Sequence, residues 1–143
     1  MSKSLKIRAA TSQDESAIVD LWRTCGLVTS YNNPAADFAF AKAGACSEIL
    51  VGEDDGVIRA SVMVGHDGHR GWLYYVASDP HSRGCGFGRQ IVEAAENWLR
   101  QRGVAKAQLL VRETNTKVVA FYEHLGFEVT PRVVLAKWLG NAR

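Results

Sequence analysis

Little in this sequence points toward a membrane or the outside of a cell. No apolar run approaches the ~20 residues that a helix needs to cross a bilayer, and the opening MSKSLKIRAATSQDES has no apolar stretch of the secretion-signal kind. The 3 cysteines, Cys25, Cys46 and Cys85, are odd in number and far apart. That fits neither a disulfide framework nor a zinc spacing, and it points to a reducing cytoplasm. Prolines number only 3, and no low-complexity stretch suggests a linker or disorder. Neither sign of charge dominates: 17 Lys and Arg against 15 Asp and Glu leave +2. Such a balance excludes wholesale attraction to nucleic acid, although a local basic cluster can still serve a small polyanion. At 143 residues the expectation is one domain over the whole chain, because cores of this size rarely divide.

What is present is strong patterning. LKIRAA alternates as a short strand, and Ser12 and Glu15 stand at capping-box spacing before a helix whose stripe is Ile18, Leu21, Trp22 and Cys25. Gly26 sits where such a helix stops, residues 28–34 read as a loop, and PAADFAFAKAG reads as a second helix with Pro34 in its first turn. SEILVGED and VIRASVMVG are strands joined around Asp54, Asp55 and Gly56. GWLYYVAS follows HDGH, whose Asp67-Gly68 is a two-residue hairpin signal, so the three strands form an antiparallel meander. A long helix then carries Ile91, Val92, Ala95, Trp98 and Leu99 on one face and ends at Gly103. AKAQLLVR is another strand, NTKVVAFYEHL a helix closed by Gly126, and FEVTPRVVLAKWL a last strand or strand pair. The order implies a mixed α/β sheet with helices packed on it.

Between the third strand and the long helix, Gly84, Gly86 and Gly88 alternate, flanked by Arg83 and Arg89. A helix N-terminus leaves unbonded N–H groups with partial positive charge, and glycines let an anion approach them without a Cβ in the way. Phosphate is the natural guest, against the alternative of a glycine-rich turn that merely packs closely. The P-loop pattern is absent, because Gly88 is followed by Arg89 and Gln90 rather than Lys and Ser or Thr. The dinucleotide pattern is absent too, because Arg89 stands where its third glycine belongs. What remains is R-x-x-G-x-G at Arg83, Gly86 and Gly88.

That segment resembles the pyrophosphate-binding loop of the GNAT superfamily of N-acetyltransferases. NTKVVAFYEHLGFE is similar to the superfamily's second signature through Asn115, Phe121, Tyr122, Leu125, Gly126 and Phe127, and VGHDGHRGWLYYVA resembles a bacterial YpeA-like subgroup. The resemblance covers nearly the whole chain. It implies an α/β fold of α+β type, with a mixed, mostly antiparallel central sheet and helices on both faces. The implied activity is direct transfer of an acetyl group from acetyl-CoA (coenzyme A) to a primary amine in a ternary complex. A coenzyme A-binding sensor without turnover is the alternative, and a nucleotide-binding domain a third.

By the same resemblance, the backbone of Val76, Ala77 and Ser78 would meet the pantetheine arm. Arg83, Gly84, Cys85, Gly86, Phe87 and Gly88 would hold the pyrophosphate, with Arg89 adding charge, and Asn115 would touch the cofactor arm. Tyr122 would be both a cofactor contact and the general acid. Read from periodicity alone, Tyr122 shares a helical face with Val118 and Leu125 and is a core tyrosine first, the functional reading coming only with the resemblance. Many relatives place a glutamate on a central strand as base, but Leu110 stands there; Glu53, Asp67 and Glu113 are the other carboxylates considered, beside water. Trp72 and Tyr74 share a strand face, and with His66, His69 and Arg70 they are candidates for acceptor recognition near the acetyl group. His66 and His69 lack a further ligand cluster, so no metal is expected. The expected partner is a small-molecule or peptide amine acceptor, with no nucleic acid and no membrane, and with a homodimer left open.

Overall fold

The computed structural model describes residues 3–140. Five strands form one sheet in the order β1-β2-β3-β4-β5: β1 is Lys6–Ala9, β2 Ser47–Asp54, β3 Val57–His66, β4 Gly71–Ser78 and β5 Ala107–Leu109. The first three junctions are antiparallel, and β4 pairs β5 in parallel. Helices α1 (Glu15–Thr24) and α2 (Pro34–Ala43) follow β1; α3 (Phe87–Gln101) follows β4; α4 (Thr116–His124) follows β5.

The helices divide between the two faces, as the apolar periods require. Ile18, Leu21, Trp22, Phe38 and Ala41 pack against Ile49, Val51 and Ala77 on one face. On the other, Phe87, Ile91, Val92, Ala95, Trp98 and Leu99 of α3 meet Leu50, Ala60, Val62, Val64 and Leu73, with Tyr122 of α4 in the same cluster. Each fully buried side chain of this kind is worth about 1.5–3 kcal/mol in transfer terms. Trp22 brings its one polar atom with it, and Nε1 donates to the buried Ser61 Oγ at 2.9 Å.

Turn chemistry sets the registers. Asp54 pairs Val57 across Asp55 and Gly56, both at positive φ (51° and 77°), the geometry of a tight two-residue hairpin. The Asp67-Gly68 signal was expected to make a second such turn, but His66 pairs Gly71 around a four-residue loop. The Asp67 carboxylate explains this by accepting the amides of His69 at 2.9 Å and Arg70 at 2.8 Å, which stabilises the longer turn. The first cap is also shifted by one residue from Ser12 and Glu15. The Asp14 carboxylate accepts the Thr11 amide at 2.7 Å and is held by Arg8, so a single 3-10 turn precedes α1.

The last expected strand is not formed. Residues 128–139 carry no regular secondary structure, and among the described residues no backbone hydrogen bond joins them to the rest of the chain. Alternation in the sequence made the segment look like a strand, but a strand exists only when an edge pairs with it. Pro131 also removes one donor.

Candidate active site

Two departures from ladder regularity create a cleft. On β4, Tyr74 pairs Met63 and Ala77 pairs Ser61, so Tyr75 and Val76 together oppose Val62. This is a β-bulge, with Tyr75 at φ 50°. On the other side of β4, pairing with β5 covers only Gly71, Trp72 and Leu73, opposite Ala107, Gln108 and Leu109. Beyond Leu73 the parallel strands part, leaving the carboxyl end of β4 open toward residues 110–112. A crevice outside the carboxyl ends of parallel strands is where α/β sheets bind ligands.

The glycine loop closes that end. Gly84 (φ 81°) and Gly86 (φ 78°) both need the left-handed region, where an L-residue costs about 1–2 kcal/mol. Gly86 is the N-cap of α3 and provides no side chain to the first turn, which also holds no acidic residue. The α3 ladder proper begins with the Gln90 amide bonding the Gly86 carbonyl at 3.1 Å. Among the described residues, no protein acceptor takes the amides of Gly84, Gly86, Phe87, Gly88 or Arg89. Five unbonded donors at and just before the positive end of a 15-residue helix suit a pyrophosphate. Gly88 has a packing task as well. A Cβ there would lie 3.2 Å from Phe121 Cζ and 3.7 Å from Ser78 Oγ, so its bareness lets the loop, the end of β4 and α4 converge.

The flanking arginines differ. Arg83 is exposed and enters no ion pair among the described residues, so it is free to meet an anion at the loop. Arg89 instead turns along the helix, with Nε 2.9 Å from Glu93 Oε1 in an exposed pair of small worth. Cys85 is half-buried against the α3 core. Val76 packs on that same core, Ala77 is sealed against α1 and α2, and the Ser78 carbonyl accepts the Cys25 thiol at 3.2 Å. Burial raises the Cys25 pKa, so the thiol stays protonated and pins the end of α1 to the cleft.

Tyr122 is 9% exposed, and its ring meets Phe121 and Phe127 edge-on at centroid separations of 5.0 and 5.5 Å. Among the described residues the hydroxyl has no protein partner, and it is not sealed from solvent. Desolvation pushes its pKa up to about 12, so the phenol keeps its proton under all ordinary conditions. Asn115 is the exposed N-cap of α4, and its side chain makes no capping bond. The core reading of Tyr122 and the functional one are therefore compatible: the ring is packed and the hydroxyl is open.

The acceptor candidates do not assemble as expected. His66, His69 and Arg70 lie at the hairpin, and from Gly71 to Ser78 is seven steps of about 3.3 Å, or about 23 Å along β4. The alternation placed Trp72 and Tyr74 together correctly, with rings stacked at 6.4 Å. Trp72, however, belongs to the hairpin end, where Nε1 donates to Asp67 at 3.3 Å. Of the five, Tyr74 alone reaches the parted region. The sequence reading missed Tyr75, which stacks on Trp22 at 3.9 Å and donates to Asp37 at 2.8 Å. Burial and that bond raise its pKa, so it also stays protonated. The carboxylates separate as well: Glu53 is tied to Arg8 at 2.7 Å and Asp67 to the hairpin, whereas Glu113 lies on the loop from β5 to α4. A separate groove of about 460 Å³ between β1 and α3, lined by Ile7, Leu50, Ala94 and Trp98 among others, contains none of residues 76–89.

The pattern describing the Acetyltransferase (GNAT) family matches residues 15–127. An acetyltransferase of Yersinia enterocolitica is 36% identical over 135 residues, spanning 94% of this chain and 96% of the relative, and one from Pectobacterium atrosepticum matches equally. Among solved structures, AAC(6')-Iy in complex with the bisubstrate analog CoA-S-monomethyl-acetylneamine superposes with a TM-score of 0.81 at 18% identity, covering 95% of this chain and 99% of the other. Glucosamine-6-phosphate N-acetyltransferase from Arabidopsis thaliana does so with a TM-score of 0.72 at 22% identity, covering 96% and 100%.

Proposed function

The chain belongs to the GNAT acetyltransferase family and is an acetyl-CoA-dependent N-acetyltransferase, and we propose that it works through the cleft between β4 and β5, with the glycine loop as its anion grip. The observation that carries this reading is the set of unbonded amides at the head of α3, opening where the parallel strands part. In this reading the amides of Gly84, Gly86, Phe87 and Gly88, with Arg83, hold the pyrophosphate, while the backbone of Val76 and Ser78 and the side chain of Asn115 receive the pantetheine arm. When bound, acetyl-CoA supplies an acetyl carbonyl open to an amine and a thiolate as leaving group.

The phenol of Tyr122 donates a hydrogen bond toward the sulfur position, where negative charge appears late. The bulge at Tyr75 and Val76 leaves a β4 amide outside the ladder, able to point into the cleft. Leu110 brings no base to the cleft, so the acceptor enters as its free amine, its proton already lost to water. Tyr74 and the Tyr75–Asp37 pair form the wall on the α1–α2 side, where a small-molecule or peptide amine would approach. We place the cofactor cleft and this wall in one domain and assign the enzyme to the cytoplasm, in keeping with its three free thiols. Among the described residues no helix is long and apolar enough to cross a membrane.

The test is calorimetric titration of the full chain with coenzyme A, paired with thiol release from acetyl-CoA across a panel of primary amines. One-to-one binding is expected. Gly86→Ala should weaken it about tenfold or more, because a Cβ at φ 78° strains the loop and shifts its amides away from the anion, while lowering stability by only about 1–2 kcal/mol. Folded protein that takes up no coenzyme A, or binds ATP and NAD equally well, would overturn the reading. Binding without amine-dependent thiol release would leave a sensor instead.

A further inference from the structure

Besides the bulge at Tyr75 and Val76, the sheet carries one on β3. Gly52 pairs Ala60 and Glu53 pairs Ile58, so Arg59 is an extra residue that the β2–β3 ladder passes over. The insertion turns Ile58 to the α1–α2 face, while Ala60, two residues on, packs under α3. A bulge re-aims a side chain, and here that side chain is Arg59. Its Nη1 donates to Oδ2 of Asp79 at 2.7 Å, and its carbonyl accepts the Asp79 amide at 2.8 Å. Asp79 is the residue through which the chain leaves β4 for the glycine loop.

Asp79 passes this hold forward. Its Oδ1 accepts the His81 amide at 2.9 Å, and its carbonyl accepts the Ser82 amide at 3.0 Å, closing the 3-10 turn of residues 80–82. The Ser82 carbonyl in turn accepts the Cys85 amide at 3.3 Å. Between Pro80 and Gly86, the amides that bond to protein among the described residues are those of His81, Ser82 and Cys85, and all three lead back to Asp79. The His81 amide and the Arg59 guanidinium hold the Asp79 carboxyl below its ordinary range, so the pair is charged at neutral pH.

We infer that Arg59 and Asp79 are positioning residues for the cofactor: the pair clasps the start of the loop to β3 and so fixes Gly84 to Gly88 in the conformation that receives an anion. The inference rests on the cleft reading above and deepens it, since neither residue touches the ligand in that reading. Gly84 and Gly86 must stay in the left-handed region, yet glycine is the residue freest to leave it. An unclasped loop would be ordered only by binding, and affinity would fall. For the fold itself the pair matters little, because the Arg59 side chain is 35% exposed and such surface pairs are weak.

Calorimetry with coenzyme A and thiol release from acetyl-CoA, measured side by side on full-length variants, test the clasp. Arg59→Leu removes the guanidinium, and Asp79→Asn removes the charge while leaving an oxygen for the His81 amide. Each should raise Kd about tenfold, with KM for acetyl-CoA rising in step and kcat at saturation within about twofold of the parent. The double substitution should be no worse than either single one, because both break the same contact, and Arg59→Lys should recover most of the affinity. Folded variants whose Kd stays within about twofold of the parent, effects that add in the double variant, or a loss in kcat with Kd unchanged would each overturn the inference. Should Arg59→Leu not fold, Arg59→Gln is read by the same criteria. A parent that takes up no coenzyme A removes the cleft reading and the clasp with it, whereas a parent that binds it while every variant binds equally removes the clasp alone.

Discussion

Removing one oxygen tests the chemistry at Tyr122. Tyr122→Phe keeps the ring, and with it the edge-on contacts to Phe121 and Phe127 at 5.0 and 5.5 Å. Among the described residues the hydroxyl bonds to no protein group, so its loss orphans nothing there and stability should change by less than about 1 kcal/mol. The size of the kinetic effect follows from acidity. Burial holds the phenol at a pKa of about 12, whereas a thiol lies near ~8.5. Complete proton transfer to a thiolate would therefore be uphill by roughly 3.5 units, or about 5 kcal/mol at 1.36 per unit. On the proposed placement Tyr122 would therefore act mainly as a hydrogen-bond donor to developing charge, and loss of one such donor costs about 10²–10³ in kcat. Thiol release at saturating acetyl-CoA is the assay, with KM and calorimetric affinity for coenzyme A as controls. A kcat within threefold of the parent, or a loss that appears only in KM, would refute the role and leave Tyr122 as packing.

Other outcomes follow from the same geometry. With Leu110 in place of a base, kcat/KM for the acceptor should climb about tenfold per pH unit up to the acceptor's own amine pKa; a plateau reached near pH 6 would reveal a carboxylate base, with Glu113 the one to replace. No falling limb from Tyr122 is expected until the pH nears its pKa of about 12. Hydrogen bonds from Arg8 hold the Asp14 carboxyl at about 2, below its ordinary 3.8. The pair therefore stabilises the fold above about pH 4 and loses that contribution as the pH falls to about 2. Urea unfolding should show Asp14→Asn less stable by about 1–2 kcal/mol at pH 7, after allowance for solvent screening, with the gap closing between pH 4 and 2. A gap that persists unchanged at pH 2 would remove the ion pair from the account.

Much of the fold was legible because its signals are local. The meander, both early helices and the long α3 follow from alternation, apolar stripes and punctuating glycines, and each lies within a few residues of where the patterns place it. The loop was legible because Gly84 and Gly86 adopt a backbone that other residues avoid. The bulge at Tyr75 left no such trace, since a tyrosine at positive φ is imposed by its surroundings, here the stack on Trp22 and the bond to Asp37. Alternation also says which face a side chain takes but not which end of a sheet matters. That is why His66, His69, Arg70 and Trp72 were grouped with a site at the far end of β4. The tail shows the reverse failure: a strand-like pattern that meets no edge among the described residues and so forms no strand.

Where β4 and β5 separate, the sheet forgoes rungs that it makes elsewhere along its length. On the proposed placement, the amide-bearing arm of the cofactor supplies them, so acetyl-CoA serves as a structural splint as well as a reagent. A ligand held at a hundred times its Kd adds about 2.7 kcal/mol to the folded state. Coenzyme A, acetylated or not, carries that arm, so its concentration relative to Kd would then govern how long each molecule resists proteolysis.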